Sequence, residues 1–132
     1  MLYQLCYVSR ALKPMSYPEL RALVAHARAY NAAHDITGIL FYGEGHFAQV
    51  LEGEQEEVER LFGRIQRDAR HHDVTVVTRV ARPRRTYPQW GMAAHRLAEA
   101  QFAELVRHLP EGADARPLKA RLETFVIESQ RL

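Results

Sequence analysis

Tyr7, Asn31, Gln49, Arg64 and Asp68 are polar side chains that the periodicity of the chain assigns to apolar surroundings. Gln49 stands in "GHFAQVLEG", residues 45 to 53, where strand alternation puts it on the same face as Phe47 and Leu51. A buried primary amide has two donor hydrogens and two acceptor lone pairs, and leaving one unpaired costs about 1–3 kcal/mol. Something polar must sit opposite it. Helical spacing from Leu20, Leu23 and Ala27 carries a second amide, Asn31, onto an inward face. Arg64 and Asp68 are four residues apart in a segment of helical pattern, so both are expected along one edge of its buried stripe. A phenol, two amides, an arginine and a carboxylate contain no nucleophile paired with a base, which makes a poor hydrolytic site. Around an apolar slot they suit a planar, hydrogen-bonding ring whose apolar edges would meet Ile39, Leu40 and Ile65.

The elements that must position these groups follow from periodicity and caps. Leu2 to Ser9 is rich in β-formers and reads as a first strand, with Tyr3, Leu5, Tyr7 and Ser9 on one face. "SYPE" at Ser16 to Glu19 is a capping box opening a helix that runs to about His34. Thr37 to Tyr42 and His46 to Leu51 read as a hairpin turning through Gly43 and Gly45. A second helix starts near Glu54, with acidic residues in its first turn, and buries Val58, Leu61, Phe62 and Ile65. "RHHDV" is expected at the end of that helix, where His71 and His72 would complement the dipole; its spacing suits no common zinc pattern, and no metal is assigned. "DVTVVTRVA" reads as a fourth strand and "YPQWGMAAHR" as a shorter fifth.

This order predicts an α+β, ferredoxin-like βαββαββ sandwich: a mixed five-stranded sheet with two helices on one face. Two amphipathic C-terminal helices follow, the first around Phe102, Leu105, Val106 and Leu109 and the second around Leu118, Leu122, Phe125 and Val126. They are expected to cover the other sheet face or to mediate a homo-oligomer. The expected organisation is residues 1–94 as the ligand-binding domain and 95–132 as a helical extension.

Composition bounds the function. A single domain fits 132 residues with 47% hydrophobic content. A net charge of +2 is too small for a nucleic-acid footprint, and the run "RPRR" at Arg82 to Arg85 reads as a solvated connection. Cys6 is a lone cysteine in an apolar strand, the N-terminus has no leader pattern, and no apolar run reaches bilayer length. A cytoplasmic protein without a membrane segment is expected.

The segments "LCYVSRA", "NAAHDITGILFYGEGHFAQVLEG", "LFGRIQRDARHHDV" and "YPQWGMA" together resemble the BLUF domain, a family of blue-light sensors that bind a flavin. The resemblance covers roughly Met1 to Ala94 in chain order. It implies FAD as cofactor, with FMN and riboflavin fitting the same ring slot. Tyr7 matches the tyrosine that donates an electron and a proton to the photoexcited flavin, and Gln49 the glutamine that rearranges its hydrogen bonds afterwards. Asn31, Arg64 and Asp68 match residues lining the flavin site, with Ile65 and Tyr30 beside them; Tyr30 stands where the family usually has a smaller polar residue. Ser9, Trp90 and Met92 match positions that report the change. The resemblance implies a non-enzymatic photoreceptor that signals to a partner protein, since the chain is too short to add a cyclase or phosphodiesterase. Two other readings of the sequence are an acylphosphatase-like hydrolase using Arg10, which lacks a glycine-rich phosphate cradle, and a cofactor-free interaction module.

Overall fold

A computed structural model describes residues 2–43, 45–85, 91–108 and 130–131. The elements run β1 (Leu2–Ala11), α1 (Tyr17–Ala33), β2 (Thr37–Gly43), β3 (His46–Gly53), α2 (Gln55–Gln66), β4 (His71–Arg82), β5 (Gly91–Arg96), α3 (Glu99–His108) and β6 (Gln130–Arg131). Helix α1 begins as its sequence dictates: the Ser16 hydroxyl accepts from the Glu19 amide at 3.3 Å and the Glu19 carboxylate accepts from the Ser16 amide at 3.1 Å.

The sheet order is β4-β1-β3-β2-β5-β6. β1 pairs antiparallel with β3 and β4, β2 antiparallel with β3, and β2 parallel with β5. The five expected strands thus form the expected mixed sheet, and the two-residue β6 extends its edge beyond β5. Register brings the chemistry together: Tyr7 lies opposite Gln49, and Gln49 opposite Leu40. The β1–β4 ladder shifts register between Cys6 and Tyr7 and again between Val8 and Arg10. Such bulges re-aim side chains, and these two flank Tyr7 and Ser9.

Period-two alternation sorts the core into two layers. Leu5, Tyr7, Leu40, Tyr42, Phe47 and Leu51 pack with Leu20 and Val24 of α1 and Val58 and Phe62 of α2. Cys6, Ile39, Phe41, Ala48 and Val50 face the other way, against Leu97 and against Phe102 and Leu105 of α3. Ile39 was expected to edge the slot beside Leu40, but neighbouring strand residues point to opposite faces, and Ile39 belongs to the α3 layer. The expected second tail helix lies outside the described residues, as does Leu109; Val106 falls within α3.

The run Arg82 to Arg85 is solvated only at Pro83 and Arg84, and the arginines at its two ends are engaged. Arg85 donates to Thr37 Oγ1 at 2.9 Å and to the carbonyls of Glu52 at 2.9 Å and Asp35 at 2.6 Å. Arg82 reaches Gln4 Oε1 at 3.4 Å, and Gln4 in turn donates to the buried Glu52 carboxylate at 3.2 Å. The run therefore fastens the exit of β4 to the ends of β2 and β3. No helix among the described residues is long and apolar enough to cross a membrane.

Candidate functional site

A cavity of about 190 Å³ opens between α1, α2 and the sheet, with Leu40 and Phe47 on its floor, Ala27 on the α1 side and Ile65 on the α2 side. Every polar residue expected at the slot from elements described around it, namely Tyr7, Asn31, Gln49, Arg64 and Asp68, lines this cavity, and so does Tyr30. Its size is below that of pockets enclosing a whole drug-sized ligand, about 300–1,000 Å³, so it suits a flat ring system whose tail runs out through the mouth.

Two neutral polar groups meet on the sheet. The Tyr7 hydroxyl donates to Gln49 Oε1 at 2.5 Å, and the two residues are only 4% and 6% exposed. Burial, with smaller contributions from Cys6 and Asp68, pushes the Tyr7 phenol well above its ordinary range, so it stays protonated and remains a donor. A carboxamide joined to a phenol in this way can exchange donor for acceptor by turning about its terminal bond, without backbone movement.

The opposite wall carries an unanswered amide. Asn31 is 1% exposed, and neither its Nδ2 nor its Oδ1 finds a partner among the described residues. Its backbone carbonyl serves the helix end, accepting from His34 and Ile36, while the side chain lines the cavity. Leaving both ends of a buried amide unpaired is costly, at about 1–3 kcal/mol for each group. The site therefore fits a ligand that offers a donor and an acceptor side by side along one edge, as the pyrimidine edge of an isoalloxazine ring does.

Charged groups gather at the mouth. Arg64, in the last turn of α2, lies over the Tyr30 ring with its guanidinium carbon 4.4 Å from the centroid. Asp68 is not on the helix with it, as its spacing had suggested. α2 ends at Gln66, and Asp68 lies in the following turn, where it pairs with Arg70 through contacts of 2.5 to 3.1 Å. The Arg70 guanidinium holds the Asp68 carboxyl at about 2, below the ordinary carboxylate range.

Three polar lining residues escaped the sequence reading, His26, Arg70 and His71. "RHHDV" does not sit at the end of α2; His71 and His72 begin β4. His71 Nε2 bonds the carbonyl of Ile65, which can only accept, so that nitrogen carries the proton. Nδ1 lies 2.9 Å from the Ser9 hydroxyl, from which it accepts in the tautomer that carries its proton on Nε2. The imidazole also meets the Tyr7 ring edge-on, at 6.5 Å between centroids. The one available signal was that His71 begins a strand pattern reaching back from "DVTVVTRVA". Ser9 is buried on the face that carries Tyr7. Of the other expected relay residues, Trp90 lies outside the described residues, and Met92 is described only as backbone within β5. Among the described residues no three His, Cys, Asp or Glu side chains gather as a metal site.

The model of the family described as sensors of blue-light using FAD, BLUF, matches residues 2–93. The photoactivated adenylate cyclase subunit beta of Euglena gracilis is 40% identical over 94 residues, which are 70% of this chain and 11% of that protein. The blue light- and temperature-regulated antirepressor BluF of Escherichia coli is 32% identical over 92 residues, 70% of this chain and 23% of that protein. The chain thus spans a small part of the curated relatives it matches. Among solved structures, the dark state of BlrB, a BLUF protein, superposes with a TM-score of 0.72 at 26% identity, covering 95% of this chain and 94% of that one.

Proposed function

The chain belongs to the BLUF family, and from that premise we propose that Tyr7, Gln49 and Asn31 form the centre of a blue-light photoreceptor whose cavity holds a flavin. When bound, the flavin supplies blue-light absorption and an excited state able to take an electron and a proton from Tyr7. The observation that carries the reading is the orphaned Asn31 amide facing the joined Tyr7–Gln49 pair across one ring-sized cavity.

The protein groups have distinct tasks. Asn31 holds the polar edge of the ring and fixes its orientation. Tyr7, kept protonated by burial, presents its proton along the hydrogen bond to Gln49. Gln49 then changes which of its amide atoms faces the phenol and which faces the ligand, a change worth more in a site with this little solvent than it would be in water. Arg64 and the Asp68–Arg70 pair bind and enclose at the mouth, and FAD, whose tail would leave through that mouth, is the flavin we assign.

The output passes to another protein or segment, with no chemistry of this domain's own. One observation supports the α3 side of the sheet as its route: Leu40 at the cavity floor neighbours Ile39 and Phe41, which pack against Phe102 and Leu105. On this reading residues 1–94 are the light-sensing unit and 95–132 the extension through which oligomer contacts and the partner are engaged.

The test is the visible absorption of the purified chain before and after blue light. A structured flavin spectrum that moves slightly to the red and recovers in darkness is expected, and Gln49→Leu should bind flavin without moving. A colourless protein that takes up no added flavin, or a normal shift in Gln49→Leu, refutes the reading.

A further inference from the structure

We propose that Tyr30 is a positioning residue that acts through Arg64, holding the guanidinium at the mouth before the flavin arrives. The inference rests on the flavin reading above. Arg64 is exposed, and an arginine on a helix surface ordinarily samples many rotamers, losing that freedom when it binds. Here its guanidinium carbon sits 4.4 Å from the Tyr30 ring centroid.

Tyr30 is itself held. The His34 ring stacks on it at 4.1 Å between centroids with 21° between planes. An imidazole and a guanidinium this close to one ring cannot share a face without overlapping, so Tyr30 lies between them. His34 Nδ1 meets Glu57 Oε2 at 2.7 Å, and Arg60 holds the other Glu57 oxygen at 2.6 Å. The bond from His34 pulls the Glu57 carboxyl below its ordinary range, with Arg60 adding to the effect.

The stack is therefore anchored in α2 at both ends. Glu57 in its first turn fixes His34, Arg64 in its last turn caps Tyr30, and both aromatic rings come from the end of α1. The two helices that wall the cavity are tied to one spacing at its mouth. The Tyr30 hydroxyl has no hydrogen-bond partner among the described residues, which assigns the task to the ring and leaves the hydroxyl without a part in it.

The experiment is a cycle of flavin dissociation constants, measured in the dark by flavin fluorescence on the full chain, for Tyr30→Phe, Tyr30→Leu, Arg64→Met and Tyr30→Leu with Arg64→Met. Thermal melts accompany each to establish folding. Tyr30→Phe should stay within about twofold of the parent, because the ring is kept. Tyr30→Leu should weaken binding about two- to fivefold, the equivalent of one exposed cation–π contact. In the Arg64→Met background the same change should be nearly silent. An equal loss from Tyr30→Leu in both backgrounds, or a loss in Tyr30→Phe as large as in Tyr30→Leu, overturns the proposal. If Arg64→Met weakens binding while Tyr30→Leu does not, the proposal alone fails. If Arg64→Met leaves binding unchanged, the reading of Arg64 as a flavin contact fails with it.

Discussion

The hydrogen bond between Tyr7 and Gln49 makes a quantitative prediction about stability that does not depend on light. Gln49→Leu removes the acceptor and leaves a phenol, 4% exposed, with an unanswered hydroxyl, at a cost of about 1–3 kcal/mol. Tyr7→Phe removes the donor instead. Gln49 has a further contact besides Tyr7, so its amide is not stranded, and the loss should be only about 0.5–1.5 kcal/mol. In the double variant there is no phenol left to orphan. The Gln49→Leu change should then cost much less than in the parent, giving a coupling of about 1–2 kcal/mol. Urea unfolding followed by circular dichroism measures all four proteins, once free of flavin and once at a fixed saturating concentration, so that ligand linkage is separated from the intrinsic terms. Additivity to within about 0.5 kcal/mol would mean that the bond does not hold the pair together, and would refute the account of Gln49 as a group waiting on Tyr7's proton.

Three other outcomes follow from the structure. The Asp68 carboxyl is depressed in the folded state to about 2, so its pairing with Arg70 contributes fully above the unfolded value near pH 4 and is lost as pH falls toward 2; Arg70→Gln should flatten that part of an acid stability profile. Both partners are partly exposed, so the contribution belongs with surface pairs, at or below about 1 kcal/mol. Burial pushes the Cys6 thiol up to about 12, so at pH 8 a disulfide reagent should react about a thousandfold more slowly than with a free thiol, even before steric exclusion, and rapid labelling of native protein would contradict the placement of Cys6. Arg85→Ala removes three hydrogen bonds to the ends of β2 and β3 and should lower the stability measured in urea by about 1–3 kcal/mol; a loss below about 0.5 kcal/mol would mean that the clamp adds nothing.

What the sequence made legible was periodic, and what it hid was long-range or conformationally unusual. Alternation put Tyr7 and Gln49 on one face and helical spacing put Asn31 opposite them, because each assignment needs only local geometry. The end of α2 was illegible for a local reason of another kind. "RDARHHDV" contains no glycine or proline to stop a helix, yet α2 ends at Gln66 and β4 begins at His71; Asp73, at φ 53°, lies inside β4 beside the second register shift, in a left-handed conformation that Asp tolerates without advertising it. Arg70 and His71 were missed with that boundary. Arg85 was read as solvated because its partners, Asp35, Thr37 and Glu52, are more than thirty residues away. Ile39 obeys the same local geometry: Gln49 lies opposite Leu40, and a single strand cannot turn both neighbours toward one slot.

The site divides its polar groups by burial, and the division separates two kinds of work. Tyr7, Ser9, Asn31 and Gln49 are neutral and almost wholly enclosed, whereas Arg64, Asp68 and Arg70 are charged and stand at the mouth where water reaches them. A charged residue placed at Gln49 would have to be desolvated, and its pairing would be too strong to reverse by a small change in its neighbour. A neutral amide has two arrangements close in energy, so a change at Tyr7 can decide between them. At the mouth the opposite holds: charges there attract and retain a ligand, and the water that reaches them weakens their hold on the switch, to which Asp68 adds only a small contribution at Tyr7. Substitutions at the mouth should therefore change affinity and leave the size of the light-induced shift nearly constant. Those at Tyr7 or Gln49 should abolish the shift while affinity changes little, and a mouth variant that bound flavin normally yet lost its shift would break this division.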